Sequence, residues 1–183
     1  MSRLPPISAE TLDPAQRRVH DALLSGPRKS VRGPFPAWLQ SPGLADPAQR
    51  LGAFLRFESE LPPKLRELAI LVTARAATAQ LEWFLHRPHA ENAGLASSII
   101  DAIATRTPPR FEDADEKLTY ELATALTRTA TLDDALYARG RARFGDRGLV
   151  EFVVLIGYYT MVAMTLNAFA MELPDGATPP LSP

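Results

Sequence analysis

The segment Pro62–Gly94, PPKLRELAILVTARAATAQLEWFLHRPHAENAG, decides how this chain is read. Leu65, Leu68, Ala69, Val72 and Ala76 recur at helical spacing, which predicts a helix over Lys64–Thr78. A second helix is predicted over Gln80–Asn92, with Gly94 as its C-terminal glycine. Pro88 removes one hydrogen bond and crowds the carbonyl of Phe84, so a kink is expected there. Glu82, His86 and His89 fall at i, i+4 and i+7, which gathers a carboxylate and two imidazoles on one helix face. Two of the chain's three histidines lie in this cluster, so chemistry is sought here first.

Three uses fit the cluster on spacing alone. A metal site is the weakest, because E-x3-H-x2-H is not the HExxH helix pattern and no further ligand is paired with it. A general acid–base pair fits better, since a carboxylate one turn from an imidazole orients it and raises its basicity. A plain surface pair of Glu82 and His86 is the bland alternative. Glu67 lies beside Leu68 and Leu71 in the preceding helix. If the two helices form an antiparallel hairpin, Glu67 approaches the Glu82–His86 face, where burial would raise its pKa. Its other use is a salt bridge to Lys64 or Arg66. Arg75 is a candidate for binding a substrate carboxylate, or a surface pairing residue.

Outward from this segment the helical pattern continues. A first helix is expected over Ser8–Ser25, with Asp13-Pro14 as its start and Gly26-Pro27 as its stop. The pentapeptide DPAQR occurs at 13–17 and again at 46–50, and both copies read as the same helix-start chemistry. Between them, Ser25–Gly43 is rich in Pro and Gly and carries Phe35, Trp38 and Leu39. It reads either as a surface loop pinned by aromatics or as a pocket wall in which Arg28, Lys29 and Arg32 supply a cation for an acidic substrate. Helices are further expected around Leu51–Glu58, over Ala96–Thr105, Ala114–Arg128 and Leu132–Phe144, then, after a turn at Gly145–Gly148, over Leu149 to about Met171. The last is apolar nearly all round, which predicts a central or interface helix. No stretch alternates with period two between turns, so the fold class is all-α.

Composition bounds the function. A length of 183 residues suits one domain over 1–183, with 1–45 as an N-terminal extension and 172–183 as a C-terminal arm. The net charge of -1 and the lack of long basic runs give no reason to expect nucleic acid or a membrane as partner. The chain has no cysteine, which removes disulfides and every thiol mechanism. No signal-peptide core is visible at the N-terminus, and Leu149–Phe169 carries too many polar groups for a membrane span, so a cytoplasmic location is expected.

Leu65-Arg66-Glu67-Leu68-Ala69-Ile70-Leu71, followed by Glu82-Trp83-x-x-His86 and Ala93-Gly94-Leu95, resembles the carboxymuconolactone decarboxylase family, within the superfamily of alkylhydroperoxidase D-like proteins. Arg32-Gly33-Pro34-Phe35 and the stretch from Gly157-Tyr158-Tyr159-Thr160 to Asn167 are similar as well. The resemblance implies an all-α bundle around a central helical hairpin, assembled as a homo-oligomer, trimer or hexamer. The superfamily's peroxidase branch uses a CxxC pair, a following His and a relay Glu. Here Ala79 and Glu82 stand at the cysteine positions, His86 at the histidine and Glu67 at the relay. The thiol peroxidase route is therefore closed to this chain.

What the resemblance implies instead is a cofactor-free decarboxylase of a small carboxylated lactone such as 4-carboxymuconolactone, from aromatic catabolism. The conjugated lactone is its own electron sink, so no cofactor and no metal are expected. Glu67, Glu82 and His86 are the candidate catalytic residues. Arg32, Trp38, Arg75, His89, Tyr158 and Asn167 are the candidate substrate-binding residues. A lactone hydrolase or isomerase, and a non-catalytic oligomeric binding protein, are the rival readings.

Overall fold

A computed structural model describes residues 2–183. Its elements are α1 (Pro14–Ser25), α2 (Phe35–Trp38), α3 (Pro42–Phe57), α4 (Pro63–Ala76), α5 (Gln80–Asn92), α6 (Ser97–Ala104), α7 (Ala114–Thr129) and α8 (Asp134–Ala168). No strand occurs among the described residues, so the chain is all-α.

α4 is the centre of the bundle. It packs against α5, α6, α7 and α8, and every residue from Glu67 to Arg75 is buried. This differs from the one-sided stripe that its leucine spacing predicts. The reason lies in the other faces, which carry Ile70, Leu71, Thr73 and Ala74 and so offer neighbouring helices small or apolar contacts all round. Thr73 satisfies its hydroxyl locally, on the carbonyl of Ala69 at 2.9 Å. The chain then reverses through Ala77–Ala79, with Thr78 at φ 48, and α5 packs back on α4. Trp83 is fully buried. The helix runs through Pro88, and Gly94, at φ 86, follows its end.

The outer elements show three differences from the sequence reading. α1 begins at Pro14, not at Ser8. Asp13 Oδ1 accepts from the amides of Ala15 and Gln16, and Gln16 Oε1 accepts from the Asp13 amide, so a reciprocal cap fixes the start. The second DPAQR copy does not start a helix, because Pro47 lies inside α3. α3 opens five residues earlier, where Leu44 and Ala45 donate to the Ser41 carbonyl at 2.9 Å and Ala45 is fully buried. Finally, the expected turn at 145–148 contracts to one residue. Gly145, at φ 68 and ψ 177, breaks the helical path of α8, a conformation open essentially to glycine alone.

One face of α8 belongs to the core, through Phe152, Leu155, Ile156, Tyr159, Val162 and Leu166. The opposite face leaves Val150, Val153, Val154, Met161 and Met164 exposed. α8 has the length and apolar content of a membrane span, but more than half of that window is buried within the bundle. The Pro-rich stretch before α3 is packed rather than loose. Phe35, Trp38 and Leu39 are buried, and Trp38 Nε1 donates to Thr165 Oγ1 on α8 at 3.1 Å. The loop is thereby held over the α5–α8 side of the hairpin. The C-terminal arm is tied down too: Gln80 exchanges two hydrogen bonds with the backbone of Leu181, at 2.8 and 2.9 Å, and Leu181 is buried.

Candidate active site

A cavity of about 360 Å³ lies where the Pro-rich loop, the end of α3, the middle of α5 and the middle of α8 meet. The loop supplies Arg28, Arg32 and Phe35; α3 supplies Arg56 and Phe57; α5 supplies Glu82, Leu85, His86 and His89; α8 supplies Tyr158 and Tyr159.

His86 is the fixed point. Its Nδ1 lies 2.7 Å from Glu67 Oε2, and both side chains are buried. This contact exists because α5 folds back on α4 and brings residues 67 and 86 to the same level. Burial by itself pushes Glu67 up, but the charge and hydrogen bond of His86 outweigh it, and the carboxyl lies below its ordinary value. An ionised Glu67 accepts the proton on Nδ1, which leaves Nε2 as the ring nitrogen available to a substrate. Arg66 contributes little here, since its Nε lies 3.9 Å from Glu67 Oε1. Lys64 is engaged elsewhere, with Asp113 and Glu116.

Glu82 behaves in the opposite way. It is 1% exposed, and neither carboxylate oxygen has a hydrogen-bond partner. Burial raises its pKa well above its ordinary value. Burial thus favours the protonated form of this side chain, which lines the cavity one turn from His86. The sequence reading of a Glu82–His86 pair is corrected on this point: the histidine pairs with Glu67 instead. α5 thus carries a proton donor and an imidazole to one wall, and each is set by a different physical cause.

The other walls are cationic and phenolic. Arg28 stacks its guanidinium over Phe35 at 5.1 Å, and Arg56 does so over Phe57 at 5.3 Å. Tyr158 and Tyr159 are buried, and burial raises both hydroxyl pKa values, so both are neutral donors. Tyr159 packs edge-on to His86 at 5.0 Å. His89 is exposed at the rim, where partial burial and then the Arg56 charge lower its pKa.

Of the residues singled out from sequence, Glu82, His86, Arg32, His89 and Tyr158 line the cavity, and Glu67 stands directly behind His86. The other three lie away from it. Trp38 is a packing residue, edge-on to Phe35 and Tyr158. Arg75 lies at the far end of α4 and donates to Thr78 Oγ1 and Ser182 Oγ. Asn167 donates to the carbonyl of Ala77. Two lining residues, Arg56 and Tyr159, escaped the sequence reading as candidates. Arg56 is one charged residue among many on an amphipathic helix, and only the fold shows which face it occupies. The Pro-rich loop does form a cavity wall, and Arg28 is its half-buried cation.

No protein-family model and no curated protein sequence matches the chain. Two solved structures share its fold. An uncharacterised peroxidase-related protein from Silicibacter sp. TM1040 superposes with a TM-score of 0.75 at 18% identity, over 93% of this chain and 91% of that one. A protein of unknown function from Agrobacterium tumefaciens, proposed as the antioxidant defence protein AhpD, gives 0.61 at 18% identity, over 78% of this chain and 99% of that one. The fold is therefore alkylhydroperoxidase D-like. Any peroxidase chemistry of such neighbours that runs through cysteine has no counterpart here, because this chain contains none.

Proposed function

We propose that this protein is a cofactor-free acid–base enzyme, and specifically a decarboxylase of a small carboxylated unsaturated lactone such as 4-carboxymuconolactone. The observation that carries the reading is the pairing of opposites on α5. A buried, unpartnered carboxyl whose charged form burial disfavours and an imidazole held by a carboxylate face one cavity. Groups whose environments push their protonation states apart are how one site both gives and takes protons.

In the proposed reaction the bond between the ring carbon and its carboxylate breaks. Carbon dioxide leaves, and the electron pair moves through the conjugated ring onto the lactone carbonyl as a dienolate. Neutral Glu82 delivers a proton to carbon. In this reading Tyr158 and Tyr159 donate to the developing oxyanion, joined by His86 Nε2 when the imidazole is protonated. Solvent then reprotonates Glu82, so the net reaction consumes one proton and no oxidant. Glu67 keeps His86 oriented and balances its charge when it is protonated.

The test is carbon dioxide release from 4-carboxymuconolactone. Wild-type protein should accelerate it, and His86→Ala should abolish the acceleration while the protein stays folded. Release at an unchanged rate in His86→Ala would rule out this site.

The same reading includes a homo-oligomer. The exposed stripe of Val150, Val153, Val154, Met161 and Met164 on one face of α8 supports it. Val153→Asp with Met164→Asp should lower the mass seen by light scattering. A wild-type protein that is already monomeric would contradict it.

A further inference from the structure

The cavity has an imbalance of charge that the acid–base pair does not use. Arg28, Arg32 and Arg56 all line it. None of them forms a salt bridge among the described residues, whereas every arginine on helices α5 and α8 does. The carboxyls nearby offer little compensation. Glu67 is committed to His86 at 2.7 Å, and Glu82 is fully buried without a partner, where desolvation disfavours its charged form.

Arg28 is the most unusual of the three. It is half-buried, and its Nε and Nη2 atoms are shielded and without a hydrogen-bond partner. Those two atoms form the side-on edge of a guanidinium, the edge that matches the two oxygens of a carboxylate. The Tyr158 hydroxyl is a close neighbour that interacts with the Arg28 guanidinium, but it carries no charge to balance it, and the Nε–Nη2 edge keeps no hydrogen-bond partner. Arg56 stands near enough to oppose the charge of Arg28. Two guanidinium groups of like charge, partly desolvated and unpaired, are unfavourable until an anion joins them.

The chain also keeps space for this arrangement. Gly52 of α3 is buried, and a Cβ there would collide with both the Tyr158 hydroxyl and Arg28 Nη2. The absent side chain is what lets the guanidinium and the phenol share one seat against the α3 backbone.

We propose that Arg28 and Arg56 form a carboxylate clamp, seated on Gly52 beside Tyr158, that holds an acidic group of the substrate opposite Glu82 and His86. This rests on the acid–base reading of the cavity and adds the specificity element to it. The clamped carboxylate is one that the reaction retains. Ion pairing stabilises a carboxylate in the ground state, and that stabilisation is lost as the group becomes neutral carbon dioxide, so clamping the departing group would slow the reaction. The departing carboxylate therefore faces the less charged wall of Glu82 and the tyrosines, and the substrate carries a second acidic group.

The test uses furan-2-carboxylate, a planar five-membered oxygen ring with one carboxylate, which cannot follow the proposed reaction. Its binding is measured by calorimetry on the full chain, beside furan-2-carboxamide, the neutral counterpart of the same shape. Wild-type protein should bind the carboxylate and not the amide. Arg28→Gln and Arg56→Gln should each weaken binding about tenfold to a hundredfold, as expected for a lost charge-assisted pair. Arg28→Lys keeps the charge without the fork and should fall between them and wild type. Arg128→Gln, the same charge change on the exposed end of α7, should bind as wild type does. Equal binding of carboxylate and amide, or full binding in both Arg28→Gln and Arg56→Gln, would overturn the clamp. Absence of carbon dioxide release with intact, arginine-dependent furan-2-carboxylate binding would sink the decarboxylase reading and leave the clamp standing.

Discussion

His86 Nδ1 is bonded to Glu67 Oε2 across the α4–α5 interface at 2.7 Å, while Glu82, one turn away on the same helix, has no partner at all. That division sets the chemistry. The carboxyl that could have been a local helix partner is left without a hydrogen bond, where burial favours its protonated form, and the one from the neighbouring helix supplies the hydrogen bond to His86.

Glu82 should make stability depend on pH in a particular direction. In the unfolded chain its carboxyl titrates near the ordinary value of 4.5, and in the folded protein well above it. Below 4.5 both states are protonated and the group contributes nothing to the pH dependence. Above it the unfolded chain ionises while the folded one does not, so the unfolded state binds fewer protons. Stability then falls as pH rises, by about 1.4 kcal/mol per pH unit, until the folded group also ionises. Glu82→Gln lacks this loss. Urea midpoints should show the variant gaining on wild type as pH rises above 4.5 and not below. A stability difference that is constant with pH would contradict a neutral Glu82.

Glu67 should matter to rate more than to binding. It touches His86 and does not line the cavity. Removing its charge in Glu67→Gln leaves the imidazole without an anion to orient it and balance its proton. The expected effect is a fall in kcat of about 10²-fold, at the low end for a general acid–base contribution, with KM little changed. Partial recovery in Glu67→Asp would mark the carboxylate as the active feature. A rise in KM with kcat unchanged would place Glu67 in binding instead.

Gly52→Ala should be costly although it adds one methyl group. The new Cβ meets the hydroxyl end of a rigid, buried ring in Tyr158 as well as the tip of Arg28. Overpacking of this kind costs about 1–3 kcal/mol, and the thermal midpoint reads it directly. Gly43→Ala is the matched control, since nothing lies near a Cβ there. Equal midpoints for the two variants would show that the ring has room to move.

Much of this fold was legible from local signals. Asp13 with Pro14, Gly94, and the leucine spacing of α4 each place an element from a few residues, because caps and helical period are short-range physics. The hairpin that brings Glu67 to His86 was readable as well, since a short run of small residues joins two helices. Pro47 was misread because a helix start is favoured by Asp-Pro only where no earlier turn is already held, and burial of Ala45 holds one. The isolation of Glu82 and the position of Arg56 were not legible. Each depends on which helix faces cover the cavity, a long-range property that spacing within one helix does not encode.

The central claim is that Glu82 gives its proton to the carbon skeleton after carbon dioxide leaves. The measurement is turnover of 4-carboxymuconolactone in heavy water by wild type and Glu82→Gln, following both carbon dioxide release and deuterium in the product. The account predicts that wild type releases carbon dioxide and leaves one deuterium on carbon per turnover, and that Glu82→Gln is slower by about 10²-fold or more. Full-rate release in Glu82→Gln, or no release by wild type at high enzyme concentration, would contradict it.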